Sequence, residues 1–289
     1  MTLRSFLPHC VSWLLMTWLI PLAAWGQALM GTVQDAQTGE PLAYASVQVL
    51  GDKRGCLSDA QGHFRLSLVG VDPTAEVRVS HLSYVPGHFA LDSLCRLKQV
   101  RLALPPRERV LPTVTIDARQ RWRTQKVGVP RYLGAWNTWG SDDTAAFFVE
   151  VGQRMELGTQ WSQLTTLAFY LNQGVADTAL FRVVVYRYDR ERQRPGERWI
   201  EQDLLFRRPL RKGWVRLDLS PYRLWLKGEV VVSVQYLRAP GRQGRYTPFF
   251  GGNVLVNDPY TSFVRSSTEP DWRDYSPALS MYGVIRQPR

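Results

Sequence analysis

Apolar and polar side chains alternate at period two through most of this chain, and the three-and-four spacing of an amphipathic helix is nowhere sustained. Ala45-Ser46-Val47-Gln48-Val49-Leu50 predicts a half-buried strand, and His63-Phe64-Arg65-Leu66-Ser67-Leu68 places Phe64, Leu66 and Leu68 on one core face. Val77 to Val79, Phe89 to Leu91 and Val100 to Leu104 predict further short strands. Between them, Asp35 to Pro41 and Ser58 to Gly62 carry turn chemistry: Gly39 and Gly62 tolerate positive φ, and Asp59 can bond its own backbone. Seven or so short strands separated by such turns predict a β-sandwich. A second set follows at Phe147 to Val151, Leu164 to Leu171, Leu180 to Tyr188, Trp214 to Leu219, Glu229 to Leu237 and Leu279 to Ile285. Rich in β-branched and aromatic residues, these predict a second antiparallel sandwich of the jelly-roll kind. The expected fold class is all-β.

Gly31-Thr32-Val33 with Asp35, Thr38 to Leu42, Ala45 to Val49, Ser58-Asp59 with Gly62 and Phe64, and Val79 to Tyr84 together resemble the carboxypeptidase-like regulatory domain. The resemblance covers about residues 28–116 and implies a small transthyretin-like Greek-key sandwich, common at the amino terminus of secreted and outer-membrane bacterial proteins. Cys56 and Ser83 stand where that family more often has Thr and Gly. The domain is the non-catalytic companion of metallocarboxypeptidases, whose zinc site needs a His-x-x-Glu pair. None of His63, His81 or His88 is followed by Glu at the third position, so carboxypeptidase activity is not expected. The same module precedes the plug of TonB-dependent outer-membrane transporters, and Val110 to Ile116 resembles the segment that leads into it. The roughly 170 residues that follow cannot supply a 22-stranded barrel plus plug at about ten residues per strand. The later stretches Gly213 to Tyr222 and Leu226 to Leu237 are similar, more loosely, to galactose-binding-like jelly rolls of extracytoplasmic proteins.

The domain organisation follows. Arg4 precedes an apolar run from Val11 to Ala24, and Ala24-Trp25-Gly26 offers small residues for cleavage, so 1–26 reads as a signal peptide. The expected units are then 27–116 as the regulatory-type domain, 117–144 as a linker around ARQRWRTQKVG, and 145–289 as the jelly-roll-like domain. The expected address is periplasmic, outer-membrane-associated or secreted.

The net charge of +11 would favour anionic polymers or a lipid surface. The densest basic group, Arg187 to Arg198, is interleaved with Asp189, Glu191 and Glu197, and no nucleic-acid motif accompanies it, so nucleic acid is not an expected partner. Beyond the leader only Cys56 and Cys95 remain, either one disulfide or two separate thiols. No CxxC or close His spacing points to zinc, and the single carboxylate Asp59 in its turn is a poor calcium loop, so no metal or cofactor is expected.

Enzymatic chemistry has few footholds. Asp142, Asp143, Glu150 and Glu156 are the acids from which a glycosidase pair would be drawn. No GxSxG occurs, and the second domain has neither His nor Cys. The expectation is a non-catalytic envelope binding or assembly protein, with an unknown envelope protein or glycan as partner. Two alternatives are a carbohydrate-binding protein and an accessory of a TonB-dependent uptake system. Eight of the eleven tryptophans lie beyond the leader and none of them in the first domain. Loop tryptophans Trp136, Trp139, Trp199 and Trp272 would form a glycan platform if exposed together, or plug the sandwich ends if packed.

Overall fold

The computed structural model describes residues 28–107, 121–135, 146–173, 178–200, 202–237, 249–255 and 262–288. The expected leader (1–26), the transporter-like segment 110–116, the acids Asp142 and Asp143, and Trp136 and Trp139 lie outside the described residues.

The first sandwich contains β1 (Ala28–Asp35), β2 (Ser46–Val49), β3 (Gly55–Leu57), β4 (His63–Ser67), β5 (Glu76–Ser80), β6 (Gly87–Ala90), the short helix α1 (Leu91–Cys95) and β7 (Val100–Leu104). A three-stranded sheet in the order β4-β1-β7 faces a four-stranded sheet in the order β3-β2-β5-β6. β1 runs antiparallel to β4 and parallel to β7, with Gly31 opposite Val100 and Asp35 opposite Leu104. The alternating apolar positions deliver one core: Val33, Val47, Val49, Phe64, Leu66, Val77, Val79, Leu102 and Leu104 are all buried in it.

The turn residues do what their chemistry predicts. Asp35 Oδ1 accepts from the amides of Gln37 and Thr38 at 2.6 and 3.0 Å, and Tyr84 donates its hydroxyl to Oδ2 at 2.8 Å. These donors favour the charged carboxylate, so Asp35 is held below the usual range, while burial and the neighbouring Asp35 push Tyr84 up to about 12. Asp59 Oδ1 accepts from the amides of Gln61 and His63, and Gly62 takes φ +77°. The Asp59 carboxylate is therefore spent on the hairpin.

Cys56 and Cys95 are free thiols in the structure. Cys56 lies on β3 at one edge of the four-stranded sheet, whereas Cys95 ends the helix that leaves β6 at the other edge. Burial pushes the Cys56 thiol up to about 12, and Cys95 is exposed.

The second sandwich begins earlier than its expected boundary. β8 (Trp122–Gly128) and β9 (Gly134–Ala135) fall inside the stretch expected to be linker, and β8 pairs along its whole length with the last strand of the chain. Three long strands follow, β10 (Phe148–Glu156), β11 (Ser162–Gln173) and β12 (Thr178–Asp189), then β13 (Arg194–Arg198), β14 (Leu204–Pro209) and β15 (Gly213–Asp218). A single 3-10 turn at Ser220–Tyr222 leads to β16 (Leu224–Leu226) and β17 (Glu229–Leu237). The remaining strands are β18 (Phe249–Phe250), β19 (Gly252–Asn253), β20 (Ser262–Ser266), β21 (Arg273–Asp274), β22 (Ala278–Leu279) and β23 (Met281–Pro288).

One sheet runs β13-β12-β17-β10-β20-β21 with β14 also on β12; the other runs β15-β11-β23-β8 with β16 and β18 on β11. The chain crosses between these sheets from β10 to β11, back to β12, and again from β14 to β15 and from β15 by way of β16 to β17, which is jelly-roll-like connectivity. Between them lies a core that includes Val151, Met155, Leu164, Phe169, Phe181, Val183, Leu217, Val232 and Ile285. Phe169 meets Phe181 edge-on at 5.2 Å, a preferred arrangement of ring quadrupoles.

Candidate functional site

A sandwich has two outer faces, and here they have different fates. On the seven-stranded sheet, alternation turns Val184, Tyr186, Val231, Ser233, Glu150 and Phe263 away from the core, and the first sandwich docks against this side. Leu82 packs with Val184, Tyr186, Val231 and Phe263, while Leu57 packs with Phe147 and Leu237, flanked by Tyr44, Phe148 and Leu205. Gly55 leaves room for the Phe147 ring, whose nearest atom lies 2.2 Å from where a Cβ would stand. Polar contacts ring these clusters. Gln48 donates to the Ser267 carbonyl at 2.8 Å, Arg182 to the Tyr44 carbonyl at 3.1 Å and Arg198 to the Leu82 carbonyl at 3.4 Å. Asp203 takes Arg182 at 2.7 Å and His81 at 3.5 Å.

A charged network lies on the same side. Glu150, fully buried, accepts from Ser233 Oγ (2.5 Å), Tyr186 Oη (2.9 Å), Gln235 Nε2 (2.9 Å) and the Arg265 guanidinium (2.7 Å). Burial alone would raise its carboxyl, but the Arg265 charge with the bonds from Ser233, Gln235 and Arg265 outweighs that and holds it below the ordinary carboxylate value. Burial and Glu150 push Tyr186 up to about 12, although the Arg265 charge works in the opposite direction. With every partner satisfied, this cluster is an ionic anchor and offers no proton near neutral pH.

The other face of the six-stranded sheet has no sheet packed on it among the described residues, although Ala168 and Tyr282 on it are buried. Because Leu217, Val215, Leu226, Leu167, Phe169, Met281 and Ile285 point into the core, their neighbours in register point out. Those neighbours are Trp214 and Arg216 on β15, Trp225 on β16, Tyr170 on β11, Tyr282 and Arg286 on β23, and Trp122 and Lys126 on β8. At one end of the face Tyr132 stacks flat on Tyr170 (4.0 Å, 8°), Tyr170 meets Trp214 edge-on at 5.6 Å, and Trp214 meets Tyr282 at 5.1 Å. At the other, Trp122 lies 5.9 Å from Trp225. Lys126 sits 5.0 Å above Tyr282, and Arg286 5.3 Å above Trp122. Tyr282 and Arg286 are four residues apart on one strand, so the two ends lie about 13 Å apart. Trp122, Trp214, Trp225, Tyr132 and Tyr170 all keep part of their surface in solvent.

Of the tryptophans expected to form a platform, the two that are described, Trp199 and Trp272, do not lie on this face. Trp199 donates Nε1–H to the Trp225 carbonyl at 3.2 Å, meets Trp161 at 6.2 Å, and packs against the second core beneath Arg187. Trp272 packs against Tyr186 and Phe263 with Arg265 at 4.4 Å, on the opposite, docked side. The structure brings neither of them to the other. Strand alternation would have found the residues of the exposed face: in Trp214-Val215-Arg216-Leu217 and Leu224-Trp225-Leu226 each tryptophan opposes a core position.

Of the acids considered for hydrolysis, Glu150 and Glu156 share β10 six residues apart, roughly 20 Å along the strand. A glycosidase pair needs about 5–10 Å between carboxyl groups. Among the described residues no group of three or more His, Cys, Asp or Glu converges as a metal site.

Residues 29–115 match the family described as the CarboxypepD_reg-like domain, in agreement with the motif built around Gly31, Asp35, Gly62 and Tyr84. No curated protein matches the chain. Among solved structures, the cysteine protease and lectin-like domains of Cwp84, a surface layer associated protein of Clostridium difficile, are similar at 8% identity and a TM-score of 0.39, over 81% of this chain and 46% of that one. The clostridial protease after propeptide cleavage gives 9% identity and a TM-score of 0.37, over 82% of this chain and 52% of the other. Infectious bursal disease virus of the Gx strain gives 9% and 0.25, over 90% and 63%. The chain thus spans about half the length of the two clostridial chains.

Proposed function

We propose that this chain is a non-catalytic, extracytoplasmic glycan-binding protein of the bacterial cell envelope. In this reading the outer face of the six-stranded sheet is the binding surface, and the first sandwich is a docking module fixed to the back of the second. One observation carries it: the second sandwich has one face covered by the first and one face carrying five partly exposed aromatic rings, with Arg286 above Trp122 and Lys126 above the buried Tyr282 beside them. Large rings on an open sheet offer flat apolar area to the carbon–hydrogen faces of sugars, while neighbouring polar groups fix orientation. Placement outside the cytoplasm rests on the leader-like residues 1–26. Absence of catalysis rests on the separated carboxylates and on the satisfied state of Glu150.

The test is retention of the chain from Gln27 onward on a panel of neutral and acidic polysaccharides, beside Trp122→Ala/Trp214→Ala/Trp225→Ala. At least one polysaccharide should retain the wild type, and the triple variant, folded by circular dichroism, should lose tenfold or more in affinity. Equal retention of both proteins would remove the face from the account.

A further inference from the structure

The face carries charge as well as rings, and among the described residues that charge has no carboxylate partner. On the docked side, Arg182 is paired with Asp203 and Arg265 with Glu150, and at the rim of the same sheet Arg154 is paired with Glu156 and Glu229. On the open face, Lys126, Arg216 and Arg286 are all exposed, and among the described residues none is paired with a carboxylate. The acid in register there is Asp218, at the end of β15, and it already accepts from the Ser220 amide and hydroxyl at 3.0 and 2.6 Å. Arg216 stands opposite Ala168, which stands opposite Tyr282, so this arginine lies two strand spacings, about 10 Å, from the ring under Lys126. Three cations without a carboxylate partner among the described residues thus alternate with rings over a patch roughly 10 by 13 Å.

Resting on the glycan reading above, we infer that the ligand is an acidic polysaccharide, its carboxylates or sulfates repeating along the chain. A neutral glycan uses rings and hydrogen bonds and leaves three cations unmatched. A polyanion without sugar rings matches the cations and leaves the aromatic area unused. An acidic polysaccharide satisfies both, and Arg216 and Arg286 suit planar carboxylate or sulfate geometry through their forked donors. Opposite charge across such a patch sets specificity and encounter rate.

The experiment measures affinity for dextran, dextran sulfate, alginate and inorganic polyphosphate at low and high salt. It compares wild type, the face variant Lys126→Gln/Arg216→Gln/Arg286→Gln, and a control of equal charge loss on the first sandwich, Arg65→Gln/Arg78→Gln/Arg101→Gln. Dextran sulfate or alginate should bind at least tenfold more tightly than dextran. The face variant should lose at least tenfold, and the control should stay within twofold. Salt should weaken binding without abolishing it, because the ring contacts are unscreened. Preference for dextran sulfate alone assigns sulfates, and preference for alginate alone assigns carboxylates; either supports the inference. Equal losses in face variant and control mean attraction by net charge only, and polyphosphate binding as tightly as dextran sulfate means a polyanion without sugar recognition; each overturns it. Tight dextran binding that survives the face variant and fails with the tryptophan triple variant overturns the acidic ligand while the glycan reading stands. If no polysaccharide is retained, both fall.

Discussion

Replacing Arg265 by Met is expected to cost about 3–5 kcal/mol of folding stability, because the fully buried Glu150 is then left without its counter-charge. The loss comes from stranding one ion and does not measure the net worth of the pair. Removing the acid as well, in Arg265→Met/Glu150→Gln, should therefore recover a substantial part. The two variants also differ in pH dependence. In the wild type the folded carboxyl lies below its unfolded value, so its contribution is complete above about pH 4.3 and disappears as pH falls through the folded value. In Arg265→Met, burial without the cation raises the folded carboxyl above the unfolded one, so the folded state binds the extra proton and gains relative stability in acid. The gap between the two proteins should narrow from pH 7 to pH 4. Urea titrations at a series of pH values measure it, and a gap independent of pH would remove Glu150 from the explanation.

The second large effect concerns the joint between sandwiches. Leu57 and Leu82 lie outside the first sandwich's own core and are buried in clusters with residues of the second. Truncating either to Ala should cost about 2–5 kcal/mol by lost transfer energy plus cavity. Leu57→Ala/Leu82→Ala together should undock the domains while leaving each core intact. Thermal unfolding should then split from one transition into two, and the radius of gyration in small-angle scattering should rise. Two beads on a linker would show two transitions in the wild type and no change in the variant.

The joint marks where sequence reading reached its limit. Five strands of the first sandwich (β2, β4, β5, β6 and β7) and six long strands of the second are legible because each is half-buried and period two then separates core from solvent; β1 and β3 are not in that reading. β8 escaped because it is an edge strand with little apolar content: Val127 reaches the core, whereas Trp122, Thr124 and Lys126 face out, which reads as a polar linker. Glu150 reads as solvent-facing between Val149 and Val151, and its face is indeed the non-core one. What no local pattern contains is that the other sandwich covers that face, turning an outward carboxylate into a buried ion. The same long-range fact decides which outer face stays open. Of the loop tryptophans, Trp199 packs on the second core and Trp272 on the docked side, and those in strands give no such local signal, because which outer face stays open depends on docking between distant segments.

The glycan-binding face is tested most directly by side-chain oxidative footprinting of the chain from Gln27 onward with and without the polysaccharide that retains it best. Protection is expected at Trp122, Trp214, Trp225, Tyr132 and Tyr170, with Trp272 and the first sandwich unchanged. Protection confined to the first sandwich, or none at those five rings under saturating polysaccharide, would contradict it.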